Sequence, residues 1–180
     1  ILDATEFVKK KNKPISIFFD ATGILHENNV MPEKTLKKIE LEFVKKNFLI
    51  NAIGPALLIK NFAPLLDKDE KSVFASLSAK VGSISDNGYG GWYSYRASKA
   101  ALNQFIKTAS IEMKVKNKNA VFVALHPGTV RSNLSEPFQK TNLKIQKPEE
   151  SAEHLVKIIT SIDQSQTGKF FNWDGSEILW

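Results

Sequence analysis

Apolar and polar positions along this 180-residue chain sort into two kinds of segment. Three short, nearly continuous apolar runs are rich in β-branched and aromatic residues: Ile15-Ser-Ile-Phe-Phe19, Val73-Phe-Ala-Ser-Leu77 and Val121-Phe-Val-Ala-Leu125. Runs of this length and composition suit strands covered on both faces. The stretches between them have a helical period. Residues 39–66 offer Leu41, Val44, Phe48, Ile53, Leu57, Leu58 and Phe62 for a buried stripe. From Trp92 onward a proline-free run of good helix formers carries apolar residues through Phe105, Ile106, Ala109 and Met113. Pro148 and two following acids mark a helix start that continues through Leu155, Val156, Ile158 and Ile159. At the front, Ile1-Leu-Asp3 reads as the end of a strand, and Phe7 to Lys13 as the tail of an amphipathic helix stopped before Pro14. Gly168 to Gly175 reads as a last strand and tight turn. Strands alternating with helices predict an α/β fold, a doubly wound parallel sheet, in one domain over residues 1–180.

Composition narrows the chemistry. A hydrophobic content of 42% supports one real core. Cysteine is absent, which excludes disulfides and thiolate catalysis in these residues, and no spacing of His, Asp and Glu suggests a metal. The net charge of +6 comes mostly from lysines interleaved with acids, as in residues 32–42, so it reads as solvated helix faces rather than a nucleic-acid surface. No apolar run of about 18 residues and no signal pattern is evident, so a cytoplasmic protein without a membrane partner is expected.

The stretch with the most chemistry is Tyr95-Arg-Ala-Ser-Lys99. Residues four apart on a helix share a face. An ammonium beside a phenol favours phenolate and would draw the tyrosine pKa down from about 10 toward neutrality. Tyr95 is therefore a candidate proton donor and acceptor, with Lys99 as its tuner. Pro55 has no N–H to offer the carbonyl of Asn51, four residues earlier. That carbonyl either binds a water or marks a plain kink. Asp20-Ala-Thr-Gly23 closes the first apolar run with a glycine that permits close backbone approach by a ligand. The glycine-rich residues 86–91 read as a flexible approach to the Tyr95 helix, with Trp92 and Tyr93 as pocket wall or core, and residues 134–147 as a mobile lid.

A strand, a Ser-rich loop, a Tyr/Lys helix, a strand and the loop His126-Pro-Gly-Thr-Val-Arg-Ser132, in that order, resemble the short-chain dehydrogenase/reductase family. Gly82-Ser-Ile before the tyrosine and the terminal Asp174-Gly-x-x-x-x-Trp180 are similar to its carbonyl-reductase-like, C-factor-like branch. The resemblance covers nearly the whole chain. It implies a Rossmann-like fold, an NAD or NADP cofactor, a small carbonyl or alcohol substrate and a homodimer. It also implies Tyr95, Lys99, Asn51 and Ser78 as the catalytic set, with the Asn51 carbonyl holding a relay water. On the cofactor side it implies Tyr95, Lys99, Ala21, Thr22, Gly23, Pro127, Gly128, Thr129, Val130 and Ser132, together with Asp3 near the adenine. Asp3 reads equally well as a helix cap.

The chain departs from the family pattern at several places. Asp20 and Thr22 stand where Asn and Ala are usual, and Ala79 stands where a substrate-orienting serine is usual. Ser78 is favoured to supply that hydroxyl, with Ser83 or no donor as the alternatives. No Gly-x-x-x-Gly-x-Gly occurs, so the family's first strands and pyrophosphate turn are expected to be missing from the chain as given. The competing expectation is a reductase-fold scaffold or regulatory protein without turnover. A hydrolase reading fails for want of a Gly-x-Ser-x-Gly elbow.

Overall fold

The computed structural model describes residues 1–27, 30–138 and 144–180. Helix α1 (Leu2–Lys10) leads into strand β1 (Ile17–Asp20). Helix α2 (Leu41–Phe48) runs through a π turn at Leu49–Ile53 into helix α3 (Gly54–Phe62). Then come β2 (Ser72–Leu77), the long helix α4 (Tyr93–Lys116), β3 (Ala120–His126), the short strands β4 (Thr129–Val130) and β5 (Ile145–Gln146), helix α5 (Pro148–Ser161) and β6 (Lys169–Asn172). The main sheet has the order β1-β2-β3-β6 and every pair in it is parallel. β4 pairs with β5 in a separate two-stranded ribbon.

Side chains alternate across a strand, so one apolar run feeds two cores. Phe74, Phe122, Ala124 and Phe170 pack with Phe62, Leu102, Ile106 and Met113 on the α3/α4 face. Val73, Ala75, Val121, Val123 and Leu125 pack with Leu155, Ile158 and Ile159 on the α5 face. The three apolar runs form strands, and the loop after β1, at Gly23, and the end of β2, at Leu77, both come up to Lys99 in the first half of α4.

Several expectations are corrected. Ile1-Leu-Asp3 is not a strand end: Leu2 and Asp3 open α1. β1 is an edge strand covered on one side only, with Ile17 and Phe19 exposed. In residues 39–66 the buried positions are Phe43, Asn47, Asn51, Ala52, Pro55, Phe62, Ala63 and Leu66, while Leu41, Leu49, Ile53 and Leu57 are exposed. Of the expected stripe Phe62 is buried and Leu58 packs on the core, whereas Leu41, Ile53 and Leu57 face outward and Asn47 and Asn51 turn inward, so a rule that turns every apolar residue inward misplaces part of this helix. By length and composition the continuous helical path Leu41–Leu65 would also suffice to cross a membrane. The break at Pro55 is taken up by the π turn, whose widened ring has the Gly54 N–H donating to Leu49 O. The expected lid falls partly outside the described residues, at 139–143; residues before that gap include a 3₁₀ turn at Glu136–Phe138.

Candidate active site

Tyr95 and Lys99 stand one turn apart in the first half of α4 and both are buried, at 6% and 3% exposure. The turn is held by Ser98, whose hydroxyl donates to Tyr95 O at 2.9 Å. Lys99 Nζ lies 6.0 Å from the centre of the Tyr95 ring and donates to Leu77 O, at the end of β2, at 2.9 Å. A Cβ placed on Gly23 would sit 3.4 Å from Lys99 Nζ and 3.5 Å from Asn51 Oδ1. Glycine therefore lets the end of β1 come close to both groups.

Asn51 is wholly buried and pins three elements together. Its Oδ1 accepts from Ile24 N at 2.8 Å, and its Nδ2 donates to Ile24 O at 2.8 Å, Asn47 Oδ1 at 3.2 Å and Ser98 Oγ at 3.1 Å. The side chain thus fixes the loop after β1 against α4, and the π turn presents it there. Asn47 and Ser98 were not singled out by sequence, although their spacings of four and one from Asn51 and Lys99 were visible.

Asp20 ends β1 as a buried carboxylate, with Thr22 N and Thr22 Oγ1 donating to Oδ1 at 2.9 and 2.7 Å and Ser76 Oγ donating to Oδ2 at 3.2 Å. These donors compensate its lost hydration. Burial pulls the Lys99 pKa down from 10.5 to about 8, and the Asp20 charge pulls it back up in part. Burial raises the Tyr95 phenol above its ordinary value. The expectation that Lys99 draws the phenol toward neutrality is corrected here: in this closed, dry arrangement desolvation of phenolate prevails. Tyr95 is held protonated, as a proton donor to a carbonyl oxygen must be.

Ser78 Oγ donates to Asn103 Oδ1 at 2.6 Å, so its single proton is committed to α4. Ser83 Oγ donates to Leu179 O at 2.5 Å and anchors the C-terminal tail instead. Asp3 is exposed in the first turn of α1, and no side-chain cap bond closes that helix. Pro127 O accepts from Gln146 Nε2 at 3.0 Å and Ser151 Oγ at 3.1 Å, and Gln146 Oε1 meets His154 Nδ1 at 2.9 Å. Gly128 has φ +77°, with Gln146 and Trp173 packed where a side chain would begin. Thr129 and Val130 form β4, and Ser132 is exposed at the turn after it. These residues follow the end of β3. The support from Gln146 and His154 could not be read from sequence, because it joins residues distant along the chain. Burial, with the Lys80 charge, drops the His126 pKa to about 4, so its imidazole is neutral.

The glycine-rich approach to α4 is tied down rather than free: Arg96 donates to Gly91 O at 3.0 Å, Val81 O at 3.1 Å and Gly90 O at 3.3 Å. Trp92 meets Tyr95 edge-on with ring centres 6.2 Å apart and Phe138 at 4.8 Å, making an aromatic wall beside the phenol.

Residues 1–143 match the family model described as short chain dehydrogenase. Among curated relatives, the chain is 31% identical over 159 residues to 1-hydroxy-2-glutathionyl-2-methyl-3-butene dehydrogenase of Rhodococcus sp. (strain AD45), covering 88% of this chain and 68% of that protein. It is 29% identical over 145 residues to C-signal of Myxococcus xanthus, covering 81% of this chain and 83% of that one. Among solved structures, NADPH-bound carbonyl reductase from chicken fatty liver superposes with a TM-score of 0.84 at 26% identity, over 99% of this chain and 71% of that one. Carbonyl reductase Sniffer of D. melanogaster shares the fold with a TM-score of 0.84 at 23% identity, over 98% and 73% of the two chains.

Proposed function

The chain belongs to the short-chain dehydrogenase/reductase family, and we propose that it is an NAD(P)-dependent oxidoreductase that interconverts a carbonyl and an alcohol through Tyr95, Lys99, Asn51 and Ser78. The observation that carries this reading is the buried phenol one turn from a buried ammonium, beside Asn51, at the carboxyl ends of parallel strands. Open α/β sheets bind ligands at that edge.

The residues present fit the nicotinamide-ribose end of NAD or NADP. Gly23 leaves backbone room beside Lys99 Nζ, and at the end of β3 the left-handed Gly128 lets the Pro127 loop pack closely on Gln146 and Trp173. Ala21, Thr22 and Gly23 would flank one side, Pro127, Gly128, Thr129, Val130 and Ser132 the other, and Lys99 would hold the ribose. Asp3 would reach toward the adenine. Bound there, the nicotinamide supplies or accepts the hydride. Tyr95 gives its proton to the carbonyl oxygen, and its phenolate is then stabilised by the Lys99 ammonium. Asn51 holds the loop of Ile24 against the site and would pass protons to Lys99 through a water on its backbone carbonyl. Ser78 would turn its hydroxyl from Asn103 to the substrate oxygen.

The test is carbonyl reduction by the Tyr95→Phe variant, which keeps the ring and removes only the proton. A loss of at least about 100-fold in kcat is expected. An unchanged kcat overturns the mechanism. The exposed Leu49, Ile53 and Leu57, with Phe105 exposed on α4, support a homodimer through these helices. Light scattering that finds only monomer removes that part. The proposed location is the cytoplasm.

A further inference from the structure

Helix α4 starts against a residue from a distant loop. Its N-cap position is Trp92, which offers no side-chain cap and sits in the left-handed region at φ 52°, ψ 43°, costly for a bulky residue. Glu33 compensates. Its backbone oxygen accepts from Trp92 N at 2.5 Å. Its carboxylate accepts from Ser94 N at 3.2 Å and from the Ser94 hydroxyl in a short contact. Glu33 and Ser94 are each 2% exposed.

A buried carboxylate is expensive unless paired, and a helix N-terminus offers bare N–H groups and partial positive charge. The two deficits cancel. The next residue after Ser94 is Tyr95, which is therefore the third residue of the helix, where unsupported first turns fray. On the reading of Tyr95 as proton donor, we propose that Glu33 is a positioning residue for the reaction: through Ser94 and Trp92 it fixes the first turn of α4 and hence the direction of the Tyr95 hydroxyl.

The test compares Glu33→Ala, Glu33→Gln and Ser94→Ala, each also in a Tyr95→Phe background. Glutamine can keep the geometry: its oxygen takes the Ser94 N–H and its amide donates to the Ser94 hydroxyl, which can accept. Expected for Glu33→Ala is a fall in kcat, per folded molecule, of about ten- to a hundred-fold with KM for the carbonyl little changed. Glu33→Gln should restore most of it, and Ser94→Ala should fall between. Amide hydrogen exchange at residues 93–97 should quicken in Glu33→Ala and not in Glu33→Gln, a readout that needs no turnover. In the Tyr95→Phe background Glu33→Ala should cost nothing further. If Tyr95→Phe alone keeps full kcat, the catalytic reading has failed; the exchange result still reports on the cap. The proposal is overturned if Glu33→Ala folds with kcat within two-fold of the parent. Should Glu33→Ala not fold, an unchanged kcat in Ser94→Ala overturns it.

Discussion

Replacing Lys99 with methionine removes the ammonium while keeping an unbranched chain of similar length, and the structure sets the size of the effect on stability. Folding carries Lys99 from water, where it holds its proton up to pH 10.5, into a site where burial lowers that value to about 8. The difference corresponds to about 3 kcal/mol by which the folded state disfavours the charged form. The sign follows from proton binding: between pH 8 and 10.5 the unfolded chain holds more protons than the folded one, so stability rises with pH through that window. The penalty is complete below pH 8 and gone above 10.5. By pH 9.5 about 2 kcal/mol of it is recovered relative to pH 7. Urea unfolding of parent and Lys99→Met at pH 7 and pH 9.5 measures this, because every other side chain is common to the two proteins. The parent should gain about 2 kcal/mol more than the variant over that interval. Equal pH slopes would refute the claim that Lys99 is held charged against its own desolvation. The same variant should lose carbonyl reduction, so a group that costs stability would be retained for chemistry.

Other substitutions test the surroundings. Asp20→Asn removes the charge that pulls the Lys99 pKa upward, so the alkaline rise in stability should move to lower pH; an unmoved midpoint means Asp20 does not act on Lys99. Gly128→Ala places a Cβ 2.3 Å from Gln146 Nε2 and 2.8 Å from Trp173 Cδ1 at a φ of +77°. It should cost about 1–3 kcal/mol, read as a clear drop in Tm, and an unchanged Tm would contradict the close packing of that loop. Ser78→Ala leaves the buried Asn103 Oδ1 without its 2.6 Å donor and should cost about 1–3 kcal/mol in urea unfolding. A fall in kcat/KM of the folded variant, beyond that stability loss, would mark the hydroxyl as also reaching substrate.

Much was legible from sequence because it is local. The short β-branched and aromatic runs at Val73 and Val121 read as buried strands from length and composition, and Tyr95 and Lys99 share a face wherever the helix lies, which follows from backbone period. Pro55 announced a disturbance at Asn51 for the same reason: a missing N–H is a property of the residue. The direction of the helix holding Asn51 was not legible. Period alone cannot say which side meets a polar site, and there Asn47 and Asn51 turn inward while Leu49, Ile53 and Leu57 turn out. Nor could spacing fix the sign of the shift at Tyr95, because the balance of nearby charge against lost water depends on how deep the phenol lies. Glu33 at the start of α4 and Gln146 beneath Pro127 are contacts between residues far apart in the chain. The sequence by itself determined which groups are available and which neighbours share a turn; the tertiary structure alone decided how dry each group is and what distant partner it meets. Desolvation and long-range hydrogen bonds arise only once separate segments close on one another.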